Sequence, residues 1–321
     1  MDKQLSIEIE VRGLRKSFDK LLAVSDLSFT ALAGQIFGLV GPDGAGKSTT
    51  IRMLAGILPP DAGKIRVARY DVVTDPESVK SVISYMPQRF GLYEDLTVDE
   101  NIRFYADLFG MARRRREQRA EELLKACSMN EFRHRLAGKL SGGMKQKLGL
   151  ICALIHTPRV LLLDEPTTGV DPVSRREFWA MLYALLDQGV TILVSTSYLD
   201  EAERCHQLAL IHQGRLLICD RPESLRARMT KAVLSVVSSE AGRIQQMLAG
   251  IAGIYNAIVV GDSVHALVDD ASLRQSKIQL LLDGARIPYT AIEPVSPTIE
   301  DFFVDALASG GYQGWQTSSD R

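Results

Sequence analysis

IFGLVGPDGAGKSTTIRMLAGIL, residues 36–58, reads in three parts. IFGLV is a short, wholly apolar run of the kind that forms a strand buried on both faces. STTIRMLAGIL carries helical periodicity. Between them, Gly41, Pro42, Asp43, Gly44, Ala45, Gly46, Lys47, Ser48 and Thr49 match G-x-x-x-x-G-K-[ST] in the strand–loop–helix setting that this motif requires. Its glycines let the backbone wrap a phosphate chain with N–H groups pointing inward, at the positive end of a helix dipole. Lys47 is expected to reach the β and γ phosphates, and the Ser48 hydroxyl to ligate Mg²⁺. A glycine turn with a chance lysine would not bring both flanking elements with it.

Downstream, VLLLDEP (residues 160–166) is a second buried strand, ending in Asp164 and Glu165. A carboxylate at a strand tip can enter the Mg²⁺ shell, which assigns Asp164, and a second one beside it can polarise an attacking water, which assigns Glu165. Alone, an apolar strand ending in Asp-Glu could be a surface turn; after a good phosphate loop it is strong. VTILVS and LALI (190–195 and 208–211) complete a set of short apolar strands, so the fold class is α/β with helices covering a sheet. Residues from about 92 to 155 carry amphipathic helical periodicity and no good strand, and read as a helical insertion. The arginine run Arg113–Arg116 lies within it, better taken as a solvated helix face or loop than as a phosphate site.

LSGGMKQK, residues 140–147, separates this chain from other phosphate-loop proteins. Ser141, Gly142 and Gly143 open a helical stretch shortly before the Asp-Glu strand, and with that context the sequence resembles the ATP-binding cassette (ABC) ATPases over residues 7–229. The resemblance implies ATP and Mg²⁺ as ligands and a head-to-tail pair of cassettes. Ser141, Gly142 and Gly143 would then meet a γ-phosphate bound in the other cassette. It also implies that Gln88 senses Mg²⁺ and that Asp171, in TTGVDP, crosses the dimer interface. Phe18 would lie against adenine, although a lone Phe near a strand is more often core. Where the family carries a histidine after the strand that follows Asp-Glu, this chain has Ser197, in VSTSYLDEAE. Serine lacks imidazole's reach and possible charge. Losing one donor near a developing anion costs about 10² to 10³ in rate, so slow hydrolysis is expected at this chain's own phosphate loop. Asp43, where the family usually has Asn, is a smaller departure.

FGLYEDLTVDENI, LAGKLSGGMKQKLGL, STSYLDEAE and the closing PTIEDFF resemble the export-type branch that serves multidrug or polysaccharide efflux permeases, particularly the first cassette of tandem efflux ATPases. That resemblance implies an integral-membrane permease partner and a second cassette, in a homodimer, tandem or heterodimer. The apolar cluster Phe90, Leu92, Tyr93 and Leu96 reads either as cover for the helical subdomain or as the seat of a permease helix. The rival readings are a regulatory nucleotide-binding module with little turnover, and a soluble cassette acting away from membranes.

The whole chain has 321 residues, 46% of them hydrophobic and 24% charged, with a net charge of −1. That is a globular composition, and the near-neutral balance argues against a nucleic-acid partner. No apolar stretch approaches the roughly 18 to 20 residues that span a bilayer, and the charged N-terminus lacks a signal peptide's apolar core. A cytosolic chain is therefore expected, and the resemblance implies that it is peripheral on the cytoplasmic face of the cell membrane. The four cysteines are far apart without metal spacing and read as buried, reduced thiols.

Residues 1–229 are expected to form the cassette, with the helical subdomain at about 92–155. Residues 230–308 are expected to form a small α+β domain, and 309–321 a flexible Gly/Ser-rich tail. In the small domain KAVLSVVSS, GRIQQMLAG, IYNAIVV, VHALV, SLRQSKIQLLLDG and IPYTAI predict the order βαββαβ of a ferredoxin-like unit. PTIEDFF then starts a last helix, with Thr298 as N-cap and Asp301 closing the box.

Overall fold

The computed structural model describes residues 6–89 and 91–308; Phe90 and the expected tail at 309–321 lie outside the described residues. Two compact units emerge. The first comprises the chain up to Tyr198 together with Cys205–Cys219, and the second Leu199–Arg204 together with the chain from Asp220.

In the first unit, β1 (Ile7–Phe18) and β2 (Leu21–Leu32) form a long hairpin, and β3 (Ile36–Val40) leads through the glycine-rich loop into α1 (Lys47–Leu54). β4 (Ala62–Val67) and β5 (Tyr70–Asp71) join the hairpin in an antiparallel sheet ordered β2-β1-β4-β5. α2 (Pro76–Val82) precedes β6 (Ile83–Met86), and α3 (Val98–Leu108), α4 (Arg113–Ala126) and α5 (Gly142–Leu154) make up the helical insertion. β7 (Val160–Asp164), α6 (Pro172–Leu186), β8 (Thr191–Thr196), β9 (Gln207–His212) and β10 (Arg215–Asp220) complete the unit. The central sheet runs β10-β9-β3-β8-β7-β6, and its pairs from β9 to β6 are parallel. Every residue of β3, β7 and β8 is buried, as expected of strands covered on both faces. Because β3, β6, β7 and β8 are parallel, their carboxyl ends share one edge of the sheet, where open α/β sheets bind ligands.

α4 begins with the arginine run: Arg113 pairs with Glu117 at 2.7 Å and Arg116 with Asp107 at 2.5 Å, a helix face laced by ion pairs. None of the four cysteines is in a disulfide; Cys127, Cys152 and Cys205 are buried as expected, Cys219 is only half-buried, and burial pushes the Cys127 thiol up to about 11.

The second unit holds α7 (Leu199–Ala202), α8 (Pro222–Ala227), β11 (Ala232–Val237), α9 (Ala241–Leu248), β12 (Ile254–Val260), β13 (Ser263–Val268), α10 (Ala271–Ala285), β14 (Ala291–Val295) and α11 (Ile299–Ala308). From β11 to β14 the order along the chain is βαββαβ, and the sheet runs β12-β13-β11-β14 with every pair antiparallel. Leu234, Val236, Val264 and Ala266 from the sheet meet Ile244, Leu248, Ile278 and Leu282 from α9 and α10 in one core. The unit begins upstream of Met229 because α8 belongs with it: Arg226 pairs with Glu203 at 2.8 Å, and Glu203 also accepts from the Ile299 N–H at 2.8 Å.

One strand differs from the sequence expectation. IPYTAI is not a strand from Ile287; β14 starts at Ala291. Arg286 caps α10 in the left-handed region at φ 55°, the Ile287 N–H still donates to Leu282 O, and Pro288 has no N–H for a ladder. At α11, Asp301 accepts from the Thr298 N–H at 2.8 Å while the Asp301 N–H donates to Thr298 Oγ1 at 3.2 Å, a reciprocal capping box. Asp301 is fully buried and also takes His265 Nδ1 of β13 at 3.1 Å.

Candidate functional site

A cavity of about 720 Å³ opens over the glycine-rich loop. One wall is Phe18 with Leu21, Leu22 and Ala23 of the β1–β2 hairpin; another is the loop at Asp43, Gly44 and Gly46–Thr49, with Gln88, Glu165 and Gln213 completing it, while Gly41, Pro42 and Ala45 of the same loop are not in the lining. Gly46 sits at φ 100°, and a Cβ there would lie 2.5 Å from Ala23 O, so only glycine lets the loop turn against β2 and into α1. That turn presents the first N–H groups of α1 to the cavity.

Lys47 is 4% exposed, and its ammonium donates to Gly41 O at 2.7 Å and Pro42 O at 3.0 Å. It also pairs with Glu165 Oε1 at 2.9 Å; Asp43, with a 93% exposed side chain, stands 3.9 Å away. Glu165 is buried and holds a left-handed backbone at φ 47°, a conformation rare for a residue with a side chain. Its other oxygen, Oε2, accepts from Gln88 Nε2 at 3.1 Å and from Thr168 Oγ1 at 3.3 Å. Asp164, at the tip of β7, is 1% exposed, and its Oδ1 accepts from Ser48 Oγ and from Ser195 Oγ, each at 2.9 Å. The structure therefore brings Lys47, Ser48, Gln88, Asp164 and Glu165 together from three separate segments.

This donor set fits a divalent ion carried in on a phosphate chain. Hydroxyl, carboxylate and amide oxygens are hard ligands, and Mg²⁺ is usually held by one or two carboxylates with substrate phosphates completing its shell. Among the described residues no group of three or more His, Cys, Asp or Glu could hold a metal. Phe18 is 44% exposed on the cavity wall, which sets aside its reading as core, and Lys16 Nζ lies 5.8 Å from its ring centroid.

Other expected residues lie outside the cavity lining. Ser141 caps α5 by accepting from the Met144 N–H at 3.3 Å. A Cβ on Gly143 would lie 2.4 Å from Ser174 Oγ, so this glycine is needed for the approach of α5 to α6, whereas Gly142 faces open space. Asp171 caps α6, accepting from the N–H groups of Val173 at 3.1 Å and Ser174 at 2.9 Å. Those bonds, the one from Ser174 first, hold its carboxyl below the usual carboxylate range. Ser197 is half-buried immediately after β8. The sequence did not reveal Ser195, Thr168, Gln213 or, beyond Phe18, the Leu21–Ala23 part of the wall. A polar residue ending the apolar run VTILVS was the one signal for Ser195.

The family model described as ABC transporter matches residues 24–168, from β2 to just beyond Glu165. DrrA, the daunorubicin/doxorubicin resistance ATP-binding protein of Streptomyces peucetius, is 40% identical over 73% of this chain and 71% of its own length. Nod factor export ATP-binding protein I of Burkholderia thailandensis is 36% identical over 82% of this chain and 86% of its own length. The chain belongs to the ABC transporter ATP-binding proteins. YbhF, a probable multidrug ABC transporter ATP-binding protein of Escherichia coli strain K12, is 43% identical over 307 residues, 94% of this chain, so the likeness extends through the second unit. The chain spans about half, 52%, of the length of YbhF. A solved structure of an ATP-binding subunit of an ABC transporter matches with a TM-score of 0.63 at 30% identity, covering 69% of this chain and 92% of that one. The chain has the fold of an ABC transporter's ATP-binding subunit, and no helix of the described residues is long and apolar enough to cross a membrane.

Proposed function

We propose that this chain is the motor subunit of an export-type ABC transporter. In this reading it hydrolyses ATP with Mg²⁺ in composite sites made by two cassettes, and drives an integral-membrane permease from the cytoplasmic face of the cell membrane. The observation that carries the reading is the meeting of Lys47, Gln88 and Glu165 over the glycine-rich loop, with Ser48 bonded to Asp164 beside them. Lys47 spends one donor on Glu165; a β,γ-phosphate is the stronger acceptor and would draw the ammonium away. Glu165, relieved of that partner and still steered by Gln88 and Thr168, is then free to accept a proton from the attacking water. Mg²⁺ held by Ser48, Asp164 and Gln88 would supply charge neutralisation of the phosphates. Phe18 offers a face for adenine, and Ser141, Gly142 and Gly143 at the start of α5 offer the other cassette's γ-phosphate a helix N-terminus. Asp171 would act at the boundary between cassettes. The names of the relatives, multidrug and drug-resistance proteins among them, favour a small exported molecule as cargo.

The test is Glu165→Gln. Turnover should fall at least about 10²-fold while Mg²⁺-ATP still binds, read by phosphate release and by titration with a fluorescent nucleotide. An unchanged rate would overturn the reading. One observation favours a second reading, a regulatory nucleotide-binding module: Ser197 stands where the family's histidine would help stabilise the γ-phosphate, which lowers expected turnover without touching binding.

A further inference from the structure

Ser195 is the last-but-one residue of β8 and is fully buried, yet its neighbours in the strand are apolar apart from Thr196 and Thr191. A hydroxyl there needs partners, and it has two. Ser195 Oγ donates to Asp164 Oδ1 at 2.9 Å and accepts from the Glu165 N–H at 3.0 Å. The parallel register sets Ser195 beside Asp164 on the neighbouring strand. One hydroxyl therefore holds both the carboxylate at the strand tip and the backbone of the next residue. That next residue is the one at φ 47°, where a non-glycine backbone is held at some cost and persists only when its surroundings fix it. The Glu165 N–H bond fixes it, and the turn aims the carboxylate at Lys47, Gln88 and Thr168.

We infer that Ser195 is a positioning residue of the nucleotide site: through Asp164 it orients the group that meets the metal, and through the Glu165 N–H it fixes the turn that aims the base. The inference rests on the function proposed above. Groups that orient a metal ligand from behind typically change metal affinity or activity by 10- to 100-fold when removed. Serine suits the task because a hydroxyl donates and accepts at once; alanine does neither, and a thiol of similar size does both weakly.

The experiment compares the wild-type chain with Ser195→Ala, Ser195→Cys and Ser195→Thr. Two dissociation constants are read: for ATP in EDTA, and for Mn²⁺ in the presence of saturating ATP, followed by electron paramagnetic resonance. In Ser195→Ala and Ser195→Cys, Mn²⁺ affinity should fall 10- to 100-fold while ATP affinity in EDTA stays within about twofold. Ser195→Thr, which keeps the hydroxyl, should recover most of the Mn²⁺ affinity. Equal Mn²⁺ affinity in wild type and Ser195→Ala would overturn the inference, as would equal losses of ATP and Mn²⁺ binding, which mark a general packing defect. Absence of ATP-dependent Mn²⁺ binding in the wild-type chain would instead overturn the nucleotide-site reading beneath it.

Discussion

Ser197 follows β8 on the same edge of the sheet as the phosphate loop, and its side chain is one hydroxyl on one carbon. Imidazole reaches further and can carry charge, so the two residues differ most when negative charge builds on the γ-phosphate. Ser197→His should therefore raise turnover by about 10²-fold while leaving Mg²⁺-ATP affinity within twofold, measured by steady-state phosphate release and nucleotide titration on the purified chain. An unchanged rate would mean that another group already serves. The residues legible in the sequence were those within local motifs: Lys47 and Ser48 in one loop, Asp164 and Glu165 at one strand tip. Ser195 was not legible, because its role comes from the register that pairs it with Asp164. Gln213 and the Leu21–Ala23 wall were hidden for a similar reason, since chain segments far apart in sequence meet only once the sheets are built.

Helix starts show how a motif can be read correctly and still carry more than the motif implies. Thr298 and Asp301 cap α11 as the sequence predicted, but Asp301 also receives His265 in the core, which no local pattern announces. Thr298→Ala should cost about 1 kcal/mol, the usual worth of a cap. Asp301→Ala, which orphans the buried donor on His265 and the half-buried donors on Thr298, should cost about 3 kcal/mol. Urea unfolding followed by circular dichroism would separate the two, and equal costs would mean that the His265 bond adds nothing. Asp171 gives a pH-dependent counterpart at α6. Its folded pKa is depressed, so its contribution is complete above the unfolded carboxyl pKa of about 3.9 and fades as pH falls through the lower folded value. The Asp171 carboxyl resonance should therefore titrate below about 3.9, and a normal midpoint would mean that the cap is not held in solution. Apolar runs such as VLLLD read clearly as strands because both faces are buried. β1 and β2 escaped notice because four register shifts break the period-2 alternation that marks a strand.

The first unit carries both halves of the proposed nucleotide site, and they do not meet within it. Lys47 and Glu165 line the cavity, while Ser141, Gly142 and Gly143 are absent from its lining and instead start α5 against α6. If both halves act on one ATP, they must come from two cassettes. Gly142 offers a clean way to ask. It has open space around it and no left-handed backbone, so its own fold tolerates a side chain, and Gly142→Val should harm only what docks from outside. Lys47→Ala removes the ammonium from the phosphate loop. Each variant alone should lose nearly all turnover. In a head-to-tail pair combining the two, one site carries both defects and the other carries neither. Random pairing at equal amounts makes half the dimers mixed, each with one working site of two, so the mixture should regain about a quarter of wild-type turnover. No recovery, in dimers shown by mass to be mixed, would mean that identical copies of this chain do not form the composite site. A second, different cassette would then have to supply the missing half.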